Sequence, residues 1–346
     1  MSRISASDRD HILDHTAGLW EDLRGGRVFV TGGTGFFGCW LLESFAAASD
    51  RFRLDCPLMV LTRSPEAFQA KAPWLASHPA ISLVQGDVGS FEFPRGSFSH
   101  VIHAATEASA ALNDEQPLVM LDTIVNGTRR VLDFAVAGGA GRFLLTSSGA
   151  VYGSQPPSLE LLPETFCGGP DYAQPKSVYG EGKRMAELLC AVYGRSHGLE
   201  CVIARCFAFV GPQLPLDVHF AIGNFIRDCL SGRPIHIRGD GTAYRSYLYA
   251  ADLAIWLWTM LLRGQPGRCY NVGSEHAVSI TELASAVVAS LGSSNEIQVD
   301  GTPVPGKPPE RYVPQTARAR DELSLHQWVP LDEAIRRTAA WHGKHE

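Results

Sequence analysis

Three side chains, Ser148, Tyr179 and Lys183, have the types and spacing needed to move a proton to or from an oxygen on a bound ligand. Tyr179 and Lys183 stand four residues apart in the amphipathic stretch "PKSVYGEGKRMAELLCAVYG" (175–194), so a helix puts both on one face within a turn. An ammonium group beside a phenol is expected to lower the phenol's pKa, and Ser148 can hydrogen-bond the reacting oxygen. Ser148 lies in "LLTSSGAVYG" (144–153), a buried strand that runs into three hydroxyls and then into Gly149 and Ala150, which can neither give nor take a proton. Taken alone, Thr146, Ser147 and Ser148 read as a strand end whose hydroxyls cap a turn, and a tyrosine and lysine at this spacing are common. Their meaning depends on whether the chain also holds a hydride carrier.

"VFVTGGTGFFGCWLL" supplies the place for one. Gly32, Gly35 and Gly38 follow a buried strand and precede an apolar helix, the context in which the first glycine allows a tight turn, the second lets a pyrophosphate approach the backbone and the third lets helix and strand close together. Thr34, Phe36 and Phe37 fill the array and join the cofactor-binding candidates. Where the second strand of an NAD-binding unit ends in an acid for the adenosine ribose, this chain has Thr62 and then Arg63. A guanidinium there suits a 2′-phosphate and favours NADP over NAD. Asp87 in "QGDV" is a candidate for the adenine amine; Val88, and Ala104 and Ala105 at the end of the 100–105 strand, complete the expected lining.

The elements that must position these groups alternate. Strand-like runs at 27–32, 57–63, 81–86, 100–105, 141–148 and 201–207 enclose helix-like patterns such as 37–48, 115–138 and 178–196. Several strands are apolar on both faces, which implies a parallel sheet covered on both sides: a doubly wound, Rossmann-type α/β fold. Residues 1–26 are expected to form a helical extension on the domain surface. The cofactor domain is expected at 27–208, with 236–262 returning to it, and a smaller mixed α/β lobe at 209–235 and 263–346, where prolines break the rhythm. The Pro- and Gly-rich stretch 154–175 reads either as a loop that closes on ligand or as a rigid surface excursion.

Composition removes other classes. The formal net charge is −6 with no long run of one sign, which argues against a nucleic-acid surface or a polybasic membrane patch. The eight cysteines form no CxxC and mostly lie in apolar segments, so they read as reduced, buried small hydrophobes. The twelve histidines show no ligand spacing, and no metal site is expected. No stretch is long enough to span a bilayer, and the N-terminal acids argue against a secretory signal, so the expected compartment is the cytoplasm.

With "HAA" (103–105), "NGTRRVL" (126–132), "GDGTAYRSYLYAADLA" (239–254), "YNVGS" (270–274) and "RYVPQTARARDEL" (311–323), the chain over about 27–342 resembles the extended short-chain dehydrogenase/reductase family, specifically its nucleotide-sugar epimerase/dehydratase group. The resemblance implies an NAD(P)-dependent enzyme acting on a nucleotide-diphosphate sugar. Arg245 matches the arginine that grips the diphosphate, Arg311 matches a second donor, and Asn224 lies in the segment along the nucleotide. In relatives that eliminate water, an acidic pair follows the position of Ser148, and decarboxylating relatives keep the second acid. Gly149 and Ala150 offer neither, so the expected chemistry is hydride transfer at C4 of the hexose, as 4-keto reduction or 4-epimerisation. Thr106 and Glu107 resemble residues of some deoxysugar 4-ketoreductases; Thr106 is expected at the sugar, and Glu107 could act there as an unconventional base, which keeps dehydration or decarboxylation as an alternative. By the same resemblance, helices 115–138 and 178–196 would pair across a two-fold axis as a four-helix homodimer interface. Ala208, Ser246 and Gln315 depart from the group's usual Asn, Asp and Asp, so sugar and base do not transfer. A non-catalytic NADP sensor or scaffold is disfavoured, because it has no use for proton-transfer groups.

Overall fold

The computed structural model describes residues 3–105, 110–218 and 220–343. It divides into two compact units, Met1–Gly153 with Gly168–Cys206 and Ala254–Tyr270, and Ser154–Cys167 with Phe207–Leu253 and Asn271–Glu346. The division departs from the expected boundaries: Ser154–Cys167 falls in the second unit, and the segment that rejoins the first is Ala254–Tyr270 rather than 236–262.

The first unit is built on strands β1 (Val28–Thr31), β2 (Leu58–Thr62), β3 (Ile81–Gln85), β4 (His100–His103), β5 (Arg142–Ser148) and β6 (Glu200–Cys206), with β11 (Cys269–Val272) at one edge; the order is β11-β6-β5-β4-β1-β2-β3. β1 pairs in parallel with β2 and β4, β2 with β3, β4 with β5 and β5 with β6. β1 and β4 are buried at every residue, as expected of strands covered on both faces. On one face, Phe29 meets Phe91, Phe98 and Phe134 in a ring cluster, with Phe29 and Phe134 centroids 4.3 Å apart.

Helix α2 (Phe36–Phe52) follows β1; α3 (Pro65–Lys71) and α4 (Pro73–Ala76) follow β2; α5 (Ala110–Glu115) and α6 (Pro117–Ala137) precede β5; and α7 (Val178–His197) precedes β6. The N-terminal segment is part of this core rather than a surface addition. Ser5 caps α1 (Ala6–Thr16) by accepting from Asp8 N, Ile12 and Leu13 are buried, and Trp20 packs 5.0 Å from Trp258 of α9 (Ala250–Arg263), whose indole donates to Ser44 of α2.

Register explains the hydroxyl-ended strand. Pairing of β4 with β5 stops at His103↔Leu145, while β5 and β6 run on together to Ser148↔Cys206. Thr146, Ser147 and Ser148 therefore overhang β4 at the C-terminal edge of the sheet, where ligands of such folds bind.

The second unit is mixed. β7 (Phe209–Val210) runs parallel to β10 (Leu248–Tyr249), and β8 (Ile235–Ile237) to β13 (Ile297–Val299); β9 (Tyr244–Arg245) lies between antiparallel β12 (Val278–Ser279) and parallel β14 (Arg311–Tyr312). Around them stand α8 (Ala221–Leu230), α10 (Ile280–Leu291), α11 (Ala317–Leu323) and α12 (Leu331–His342). α10 opens with a reciprocal cap, Ser279 accepting from Glu282 N and Glu282 from Ser279 N. Residues 154–167 are tied into this unit: Leu162 N donates to Val313 O, Gln315 N to Leu162 O, and Gln155 bridges to Leu159, Glu160 and Val313. Of the two readings of that stretch, the anchored one describes this half of it. Among the described residues no helix is long and apolar enough to cross a membrane, and the eight cysteines are unbridged, with Cys167 exposed rather than buried.

Candidate active site

The turn between β1 and α2 is crowded where the sequence required glycine. Gly32 has φ +73°, and a Cβ there would lie 2.4 Å from the Ala104 carbonyl; a Cβ on Gly38 would lie 2.3 Å from Gly32 O. Gly35 caps α2 with no side-chain partner, leaving backbone N–H groups at the helix N-terminus, and a Cβ there would meet only Gly32 O at 3.5 Å. This cradle fits a dinucleotide pyrophosphate. Gly32, Thr34 and Gly35 line a cleft of about 240 Å³, together with Arg63 and Asp87. Val88, Ala104 and Ala105 complete the predicted part of its wall. Phe36, Phe37 and Gly38 do not line it: the phenylalanines open α2, and Gly38 lies beneath the turn. Arg63 is exposed, and Asp87 uses one oxygen to accept from Gly89 N.

Sequence reasoning missed Leu61, Gly86, Thr31 and Thr123 in the same wall, and Lys71, whose ammonium donates to Thr34 O at 2.7 Å. Thr123 sits on α6, and nothing local in its stretch marks the face that reaches the cleft.

Tyr179 and Lys183 lie in the first two turns of α7, as the spacing predicts. Ser148 hydrogen-bonds the Tyr179 phenol, and its Oγ also accepts from Ala150 N, so it caps the following 3-10 turn (Gly149–Tyr152) as well as serving the site. Lys183 is buried and donates to Thr146 O at 2.7 Å. The electrostatics differ from expectation. Burial pushes the Tyr179 phenol up to about 12, the Ser148 bond opposing it, and pulls the Lys183 ammonium down to about 8, with Cys206 and Glu187 opposing. Desolvation outweighs the charge effect the sequence suggested, so the phenol keeps its proton at neutral pH.

Beneath the overhang, His103 bonds Thr31 Oγ1 (2.7 Å) and Thr128 Oγ1 (3.1 Å), and burial pulls its imidazole down to about 3; burial pulls His100 down to about 4. An unfolded imidazole takes up a proton near pH 6.5 and these folded ones do not, so their stabilities are intact above that pH and are lost as pH falls toward 4. Urea unfolding should lose about 2 kcal/mol per histidine between about pH 7 and about pH 5, and His103→Gln should remove roughly half of the fall. Equal pH profiles for the two proteins would contradict this.

The second unit brings two predicted residues together. Parallel pairing of β9 with β14 sets Tyr244 opposite Arg311 and Arg245 opposite Tyr312. The Arg311 guanidinium stacks 4.4 Å from the Tyr244 ring centroid, and Arg245 Nη1 donates to Tyr244 O. Asn224 lies on α8, its Oδ1 accepting from Arg227. Thr106 and Glu107 lie outside the described residues.

Comparison with known proteins agrees with this fold. The chain is 31% identical over 313 residues to UDP-glucuronic acid decarboxylase 3 of Arabidopsis thaliana, covering 89% of this chain and 86% of that one. Its fold is similar to a UDP-N-acetylglucosamine 4-epimerase of Methanobrevibacter ruminantium (TM-score 0.80, 21% identity, 93% and 99% of the two chains). It is also similar to a dTDP-glucose 4,6-dehydratase of Streptomyces venezuelae solved with NAD (TM-score 0.78, 24% identity, 92% and 97%). Residues 28–273 match the NAD dependent epimerase/dehydratase family. With a Rossmann-type sheet, a glycine turn shaped for a dinucleotide and a Ser148, Tyr179 and Lys183 set at its edge, the chain is an enzyme belonging to the NAD dependent epimerase/dehydratase family.

Proposed function

We propose that this enzyme transfers a hydride at C4 of a nucleotide-diphosphate hexose, as 4-keto reduction or 4-epimerisation. The observation that carries the reading is that Ser148 and Tyr179 share a hydrogen bond beside Lys183 while the next two positions, Gly149 and Ala150, bring no carboxylate. A nicotinamide cofactor, held by the backbone of the Gly32–Gly35 turn, would supply or accept the hydride. Tyr179, protonated at neutral pH, delivers its proton to the C4 oxygen of a keto sugar as that carbon is reduced; in the oxidation half of an epimerisation its phenolate form takes the C4 hydroxyl proton, and in both directions Ser148 orients the oxygen. Elimination of water needs an acid and a base at C5 and C6, and those two positions provide neither. Reduction is favoured over epimerisation by Arg63, which follows Thr62, the residue at the place of a ribose-binding acid, and supports NADP over NAD. Arg245 and Arg311 are suited to the diphosphate by fork geometry and permanent charge.

The names of the relatives favour a second reading, decarboxylation of UDP-glucuronic acid. It begins, as an epimerisation does, with oxidation at C4 and then loses carbon dioxide from a β-keto acid. One assay separates the readings: the protein is incubated with a 4-keto nucleotide sugar plus NADPH or NADH, and with UDP-glucose and UDP-glucuronic acid plus NAD. Stoichiometric NADPH oxidation with a product gaining two hydrogens, or UDP-glucose converted at unchanged mass, supports C4 hydride transfer; release of carbon dioxide from UDP-glucuronic acid moves the assignment to decarboxylation.

The expected homodimer remains part of the proposal. Leu118 of α6 and Leu188 of α7 are 73% and 55% exposed, and Val119, Met185 and Val192 are exposed beside them in sequence. Leu188→Asp should convert a dimer to a monomer in light scattering while the fold is kept. A wild type that is already monomeric would remove the interface.

A further inference from the structure

A brace of side chains stands behind Ser148. Glu187 lies one turn beyond Lys183 on α7 and accepts from Ser147 Oγ at 2.6 Å. Arg205 of β6 donates to both Glu187 oxygens, from Nε at 3.0 Å and from Nη2 at 2.7 Å. Its Nη1 donates to the Tyr152 hydroxyl at 2.9 Å, and its guanidinium lies 4.8 Å from the Tyr152 ring centroid. The Glu187 and Arg205 side chains are only 12% and 16% exposed, so the pair is held in a fork away from bulk water. Ser147 precedes Ser148 directly, and Tyr152 ends the turn that follows it.

This placement answers a mechanical need. Ser148 sits where β5 has lost its β4 neighbour, and the next two residues have almost no side chain with which to anchor the turn. We infer that Glu187 is a positioning residue that, with Arg205, clamps the chain on both sides of Ser148 and so holds the Ser148 hydroxyl in register with Tyr179. The inference rests on the reading that Ser148 and Tyr179 serve proton transfer, whose rate falls steeply with small displacements.

The test compares Glu187→Ala, Glu187→Gln and Tyr152→Phe in the full chain with bound cofactor, following amide exchange over residues 148–153 and kinetics on whichever of UDP-glucose, UDP-glucuronic acid or a 4-keto nucleotide sugar the wild type converts. Glu187→Ala should raise exchange at least about tenfold in that segment. It should lower kcat about 30-fold with KM and cofactor Kd within about twofold. Glu187→Gln keeps an acceptor for Ser147 and should recover kcat to within about threefold of wild type. Tyr152→Phe removes one end of the brace and should raise exchange even if Glu187→Ala fails to fold. Unchanged exchange in both Glu187→Ala and Tyr152→Phe, kcat and KM worsening together, or a glutamine variant no better than alanine would each overturn the brace. If the wild type converts none of the sugars while exchange responds, the brace stands and the C4 reading fails; intact kcat in Glu187→Ala leaves the C4 reading and removes the brace.

Discussion

Tyr179→Phe is expected to lower kcat by about 10³-fold or more while leaving cofactor Kd within about twofold, because in the proposed reaction the phenol exchanges a proton with the C4 oxygen and general acid catalysis contributes on that order. The substitution deletes one oxygen and keeps the ring on α7, so packing changes little. What it removes is the hydrogen bond with Ser148 and the proton itself. A phenol pushed up to about 12 carries its proton throughout the physiological range, and no neighbouring carboxylate is available to replace it at Gly149 or Ala150. Cofactor titration by fluorescence and steady-state kinetics on one preparation check the two halves together; a Phe variant with more than a tenth or so of wild-type kcat would assign the proton to another group.

Lys183→Met is expected to cost about 10²–10³-fold in kcat and at the same time to stabilise the fold. The sign follows from the buried ammonium. Its folded pKa, about 8, lies below the ordinary 10.5, so the folded chain is penalised wherever the group is charged: fully below about pH 8, and progressively less as pH rises toward 10.5. Removing the amine relieves about 1–3 kcal/mol at neutral pH, less what is lost when Thr146 O gives up its donor. Activity runs the other way. The cation serves the site below about 8 and is lost above it, so wild-type kcat should fall on the alkaline side of about 8, and the residual activity of Lys183→Met should show no such limb. A melting temperature that drops in the methionine variant would mean that burial of the ammonium is not costly and that its depressed pKa is misassigned.

What could be read from the chain alone was whatever depends on near neighbours. The glycine turn, the four-residue interval from Tyr179 to Lys183 and the both-sided apolar strands are local patterns, and each appears in the fold where its physics required. Effects of register and burial could not be read in that way. The overhang of Thr146, Ser147 and Ser148 exists because β4 stops three residues before β5 does, which no single stretch encodes. Thr123 reaches the cleft, and Glu187 meets Arg205, only once the helices have packed on the sheet. Glu187 did carry a signal in the interval 179, 183, 187, a third residue on the same helical face. The phenol was expected to be lowered by its lysine because the sequence supplies the charge but not the depth at which both groups lie. The anchoring of 154–167 by Leu162 and Gln155 likewise depends on partners more than a hundred residues away.

The most direct test follows a deuterium atom. With a 4-keto nucleotide sugar and a nicotinamide cofactor carrying deuterium at its transferable position, the account predicts a sugar product with the label on C4, its carbon skeleton and C6 oxygen retained. Label remaining on the cofactor while the sugar loses water or carbon dioxide would contradict it.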